Sequence, residues 1–279
     1  MERQCDNESM IEPPFPEYQK PPVNEVVCGI TFKPVEQLLT PYIGVLWEEY
    51  KSSYPRCQEA PPLLSLTETF GEGLTRNKPE FAEMPPLPRV WFLNSEGNGI
   101  IQVQRDRFLH NWRRLNDSDI YPRYERVFAM FLDHLQRFQA FLDKHHLGEI
   151  EAKQYEMTYV NHFYKDEGWT TTGDAGRLFR DFKWRDEERF LPHPEGLNWR
   201  CTFVLPNKTG RMHVSIQNAE SRDDSRPLYA LELTVRGMEG DGNLSGLHKW
   251  FDRAHEWIVR GFADLTDIEA QQQLWRRTK

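Results

Sequence analysis

A chain of 279 residues that is 38% apolar and 13% aromatic, with 9 Trp and 17 Phe, has material for one large core or two modest ones. Its charged fraction of 28% is that of a folded protein, which excludes disorder along the whole length. The net charge of −8 excludes a globally electrostatic grip on DNA or an anionic membrane.

No apolar run approaches the roughly 20 residues of a membrane-spanning helix, and Met1-Glu2-Arg3-Gln4-Cys5-Asp6 lacks the basic and apolar regions of a signal peptide. Cys5, Cys28, Cys57 and Cys201 are scattered, with no C-x-x-C pair. Reduced thiols, a cytoplasmic location and no membrane partner are therefore expected.

Residues 1–22 carry Pro13, Pro14, Pro16, Pro21 and Pro22 and read as an extended arm that becomes ordered where it meets the first strand. Val23–Phe32 follows, β-branched enough for a strand buried on both faces. Leu38, Leu39, Tyr42, Ile43, Leu46 and Trp47 recur at helical spacing, with Pro41 suited to the first turn. A second strand is expected at Leu63–Phe70, and the Gly- and Pro-rich 71–88 reads as a loop. Arg89–Leu93 and Gly99–Gln104 flank Asn94-Ser95-Glu96-Gly97-Asn98 as a hairpin. A long helix starts near Pro122, with Tyr124, Phe128, Phe131, Leu135, Phe138 and Leu142 facing the core and Gly148 as its stop.

The order then begins again. Gln154–Phe163 reads as a strand, Leu178–Phe182 has short helical potential, and Asn198–Leu205 with Gly210–Gln217 forms a second hairpin. Pro227–Arg236 alternates cleanly. A last helix runs from about Leu244 to Leu265 with a stripe of Leu247, Phe251, Ala254, Ile258, Phe262 and Leu265. The expected fold class is α+β: an arm (1–22) and two pseudo-repeated halves (23–150 and 151–279), each a curved antiparallel sheet with a long helix across one face. By shape alone this looks like the saddle of the TATA-binding-protein fold, a likeness that carries no function.

Three stretches bear a family resemblance: Pro21-Pro22-Val23-Asn24-Glu25, the central Ile101-Gln102-Val103-Gln104-Arg105-Asp106-Arg107-Phe108 with Asn111-Trp112-Arg113, and Thr158-Tyr159-Val160-Asn161. They resemble a sporadically distributed family of uncharacterised prokaryotic proteins of about this length. The resemblance implies a prokaryotic source and, from the patchy distribution, an accessory or anti-phage role. It implies no activity.

The densest polar-aromatic cluster supplies the candidate partner-binding residues: Gln102, Gln104, Arg105, Arg107, Asn111, Trp112 and Arg113. Gln, Arg and Trp on one sheet face could hydrogen-bond to and stack on a partner. Alternation sets Gln102 and Gln104 opposite Ile101 and Val103, on an exposed face where replacement has little effect on folding. The bland alternative is that the charges pair with one another and Trp112 fills core. Residues 105–126 hold six Arg against four acids, so nucleic acid is weakly supported as a partner. Glu156, His162 and His213 lie in strands of the second half and could converge, whereas His145/His146 and His248/His255 lack metal-ligand patterns. No catalytic motif is present, so no catalytic residue, metal or cofactor is assigned. The expected function is a non-catalytic binding, adaptor or sensor module, with a protein partner or a second copy ranked above a small ligand. A hydrolase or binder acting on nucleic acid or nucleotides, and a structural subunit of a larger complex, are the alternatives.

Overall fold

The computed structural model describes residues 15–63, 67–70, 89–116, 118–182, 184, 189–221, 224–239 and 244–279. Its strands are β1 (Val23–Phe32), β2 (Arg56–Ala60), β3 (Arg89–Leu93), β4 (Gly99–Gln104), β5 (Arg107–Arg113), β6 (Ala152–Tyr164), β7 (Asn198–Val204), β8 (Gly210–Glu220) and β9 (Pro227–Gly237). They form a single antiparallel sheet in the order β2-β3-β4-β5-β1-β6-β9-β8-β7. Helices α1 (Thr40–Tyr50), α2 (Tyr124–Lys144), α3 (Leu247–Leu265) and the short α4 (Ile268–Gln273) complete the α+β architecture.

α2 packs on β5 and β1, and α3 on β6 and β9. All six residues of each expected stripe are buried. Pleat alternation sends Val26, Cys28, Ile30 and Phe32 of β1 toward the helices, all fully buried. Phe108 of β5 stacks on Phe138 of α2, with ring centroids 5.0 Å apart. The two helices meet through Phe128, Phe131 and Phe251, at 4.9 and 5.3 Å. One aromatic layer thus spans both halves.

Some expectations fail for physical reasons. The second strand is Arg56–Ala60, an edge strand with four of its five residues exposed, so no apolar pattern marks it. In the expected Leu63–Phe70 strand, Leu63 and residues 67–70 form no ladder, and 64–66 lie outside the described residues. β5 was not expected as a strand, because RFLHNWR mixes Arg, His and Asn with its apolar residues. The helical segment of the second half is a 3-10 turn at Thr172–Arg177, ahead of Leu178–Phe182. The arm from Phe15 to Lys20 is ordered against the C-terminal residues: Gln19 and Lys20 N–H donate to the carbonyls of Arg276 and Trp275 (3.2 and 3.1 Å). Residues 1–14 and the loop 71–88 lie outside the described residues.

Phe131 and Phe251 are fully buried on facing helices. Phe131→Ala or Phe251→Ala is expected to cost about 3–5 kcal/mol. A urea midpoint unchanged from wild type would show that the stripe is misplaced.

Candidate functional site

The seven residues singled out by sequence do not form one exposed surface. Register places Gln102, Gln104, Arg107, Asn111 and Arg113 on the sheet face away from the helices. Trp112 points the other way, 8% exposed, with its ring 5.5 Å from that of Tyr121. Arg105 sits in the β4–β5 turn, where its Nε donates to the Leu38 carbonyl (3.3 Å). The five on the shared face are not free for a partner either: Gln102, Gln104, Arg107 and Asn111 are 5, 8, 6 and 3% exposed, and Arg113 Nε donates to the Gly97 carbonyl. The expectation that Gln102, Gln104 and Arg107 lie exposed is therefore corrected. Of the six arginines in 105–126, Arg105, Arg113 and Arg123 donate to backbone carbonyls.

The polar face is a connected network. Arg89 donates to Gln102 Oε1 (2.9 Å), Gln102 to Asn111 Oδ1 (2.7 Å) and Asn111 to Glu25 Oε1 (2.6 Å), linking β3, β4, β5 and β1. Beside it, Gln104, Arg107, Thr31 and Gln154 stand in one straight row, each the register partner of the next. In the second half Arg236 donates to Glu156 (2.5 Å). Arg211 Nη1 donates to Glu68 Oε2 (2.5 Å), and His213 Nε2 lies 2.6 Å from Glu68 Oε1. Burial opposes the charge on Glu68, but its bonds from His213 and Arg211 outweigh that and hold its carboxyl below the usual range. His162 does not join Glu156 and His213; its ring contacts Tyr164.

The helix face carries a feature that sequence reasoning missed. A cavity of about 460 Å3 opens where the arm crosses the β1–β6 seam between the start of α2 and the middle of α3. The arm supplies Phe15 and Tyr18, the residues before and at the start of α2 supply Tyr121 and Tyr124, β6 supplies Tyr159 and Asn161, and α3 supplies His255. Phe128, Tyr124 and His255 stack in a column, with centroids 5.4 and 4.0 Å apart, and Phe15 lies 5.3 Å beyond His255. The Tyr121 and Tyr159 hydroxyls hydrogen-bond to each other at 2.8 Å. Burial pushes His255 down to about 4, so it is neutral at neutral pH, and it makes no hydrogen bond among the described residues. Tyr159 and Asn161 stood in a stretch marked by family resemblance, and His255 was weighed only as a metal ligand. The sequence signal for the cavity, a tyrosine-bearing proline arm, becomes readable only once the arm is placed.

No group of three or more His, Cys, Asp or Glu that could hold a metal occurs among the described residues. Cys28 is a core thiol, its ionisation pushed well above the ordinary value by burial. His110 of β5 and His134 of α2 face each other at 4.9 Å, and neither Nδ1 has a hydrogen-bond partner among the described residues.

Two predictions follow from these contacts. Gln102 bridges two buried polar groups, so Gln102→Ala should lose about 1–3 kcal/mol, read as a lower urea midpoint. An exposed glutamine would move it by no more than about 0.5 kcal/mol. Burial, with His134 adding to it, pushes His110 down to about 3, and burial pushes His134 down to about 4. The unfolded chain titrates both near 6.5. It therefore binds protons that the folded chain refuses, and stability is lost as pH falls from about 6.5 toward 4. Each histidine contributes a slope of about 1.4 kcal/mol per pH unit, and His134→Leu should remove one share from the difference between urea midpoints at pH 7 and pH 5.

No protein-family model, curated protein or solved structure matches this chain.

Proposed function

We propose that the protein is a binding module that holds a small, flat, largely uncharged ligand in the cavity beneath its arm. The observation that carries this reading is the cavity itself. Its volume of about 460 Å3 lies within the range of small-molecule sites, and aromatic rings line it together with Asn161 and the charged Glu17, Arg123 and Glu125. A neutral imidazole offers one donor and one acceptor, and the paired tyrosine hydroxyls add a second polar point. Arg123, the cation on the lining, donates to the Tyr18 carbonyl at 3.1 Å and so ties the arm to the start of α2.

The strand order supports reading the halves as a pseudo-repeat. Outward from the seam it runs β1-β5-β4-β3-β2 on one side and β6-β9-β8-β7 on the other, so the first four strands of each side match in order and β2 is an extra edge strand. In that reading each half contributes one long helix to the lining, Tyr124 from α2 and His255 from α3. The saddle-like shape expected from sequence belongs to the same proposal.

Indole is a suitable probe, since it pairs a flat ring with one donor. Titrated into the full-length protein, it should raise the melting temperature, by an amount equivalent to about 1.4 kcal/mol at tenfold excess over its Kd. Val259 lines the cavity from α3. Val259→Trp should fill the space, leaving the protein folded and its melting temperature insensitive to indole. An equal indole response in that variant would refute the site.

A further inference from the structure

The polar face of the sheet holds a stretch of the chain's own backbone in the manner of a bound peptide. The row Gln104–Arg107–Thr31–Gln154 crosses β4, β5, β1 and β6, three strand spacings or roughly 14 Å. Leu63 and Glu68, five positions apart in sequence, are held at the two ends of that row. Gln104 brackets Leu63, with Oε1 accepting from its N–H (2.9 Å) and Nε2 donating to its carbonyl (3.0 Å). Gln154 Oε1 accepts from the Glu68 N–H (2.8 Å). Past the row, Arg211 and His213 take the Glu68 carboxylate, and Arg211 Nη2 donates to the Thr69 carbonyl (2.9 Å). The Arg211 guanidinium also lies 4.2 Å from the centroid of the Phe70 ring.

These contacts divide by what they can read. A primary amide that pairs with a peptide group takes any sequence. A cation that holds a carboxylate, the next carbonyl and a ring selects an acidic residue followed two positions later by an aromatic. The segment itself buries little: Thr67 and Thr69 are exposed, Leu63 and Phe70 only half-buried, and none of them joins the ladder. Polar side chains of the sheet hold Leu63, Glu68 and Thr69. The clamp stays reachable, with the Arg211 and His213 side chains 23 and 34% exposed.

We propose that this face is a recognition channel for an extended segment of a partner protein with an acidic–x–aromatic end, and that Glu68-Thr69-Phe70 occupies it in cis. The channel lies on the opposite side of the sheet from the cavity, and the two readings stand or fall separately. A tethered occupant competes at millimolar effective concentration, so weakening it should open the channel to a peptide added in trans.

The probe is a fluorescein-labelled peptide copying residues 61–70, Pro-Pro-Leu-Leu-Ser-Leu-Thr-Glu-Thr-Phe, measured by anisotropy against the full-length chain. The double variant Glu68→Gln/Phe70→Ala removes the ion pair and the ring from the tethered occupant. It should bind the probe about tenfold or more tightly than wild type does, the effect of losing one charge-assisted contact. Adding Arg211→Gln should cancel the gain, and so should a probe with Gln in place of its Glu. A folded double variant that binds the probe no better than wild type overturns the proposal, as does binding that survives Arg211→Gln. Should the double variant not fold, Glu68→Gln alone preserves shape and gives the same reading: a smaller gain supports the channel, and no gain overturns it.

Discussion

β1 is bonded along both edges, to β5 from Glu25 to Thr31 and to β6 from Val23 to Phe32. The halves of the sheet are joined through this pairing, so the positions of both long helices depend on it. Its composition follows from that role. Four side chains enter the helix layer fully buried, and on the other face Gly29 makes room for a neighbour. A Cβ there would stand 2.0 Å from Leu109 Cδ2, so Leu109 keeps its position only beside glycine. Above the strand, Phe128 and Phe251 close the same seam from α2 and α3. Ladder and aromatic layer therefore support one junction from two directions.

The two faces of that junction have different chemistry. Toward the helices it is aromatic, and the titratable groups that fall there are held uncharged: burial raises the tyrosine hydroxyls and lowers His110, His134 and His255. Away from the helices it is polar, and burial there is sustained by hydrogen bonds between side chains on neighbouring strands. A buried network is favourable when each member finds a partner and costly when one is removed. Candidate sites thus arise on both faces by different means, a shaped space on one and a row of amides on the other.

Much of the fold was legible because its signals are periodic. The stripes of α2 and α3 match their buried faces, β8 alternates in burial as its sequence alternates, and β3, β4, β7 and β9 stand where their turn and alternation signals set them. β2 and β5 were not legible. RCQEA is an exposed edge strand, and RFLHNWR carries polar residues on a face that is buried by other parts of the chain. The Leu63–Phe70 stretch misled for the converse reason: its apolar residues look strand-like, although the backbone of Leu63, Glu68 and Thr69 pairs with glutamine and arginine side chains. The polar cluster was found at Gln102–Arg113, but its meaning depends on pairing. Without β5 as a strand, Trp112 could not be assigned to the far side from Asn111. Without the β1–β6 register, Gln104 and Gln154, fifty positions apart, could not be seen to share a row.

The choice of glutamine in that row has a physical reason. A carboxylate or ammonium at Gln104 or Gln154 would need an opposite charge to offset its burial, and a peptide group offers none. A primary amide is neutral and long, and it carries a donor and an acceptor spaced to match a peptide N–H and C=O. At the far end Arg211 and His213 meet the Glu68 carboxylate, with the two side chains 23 and 34% exposed, so their desolvation costs less. The face is therefore graded from sequence-blind contacts over the first half to a single charge-selective clamp over the second, and the same β1–β6 register holds both parts at the spacing of an extended chain.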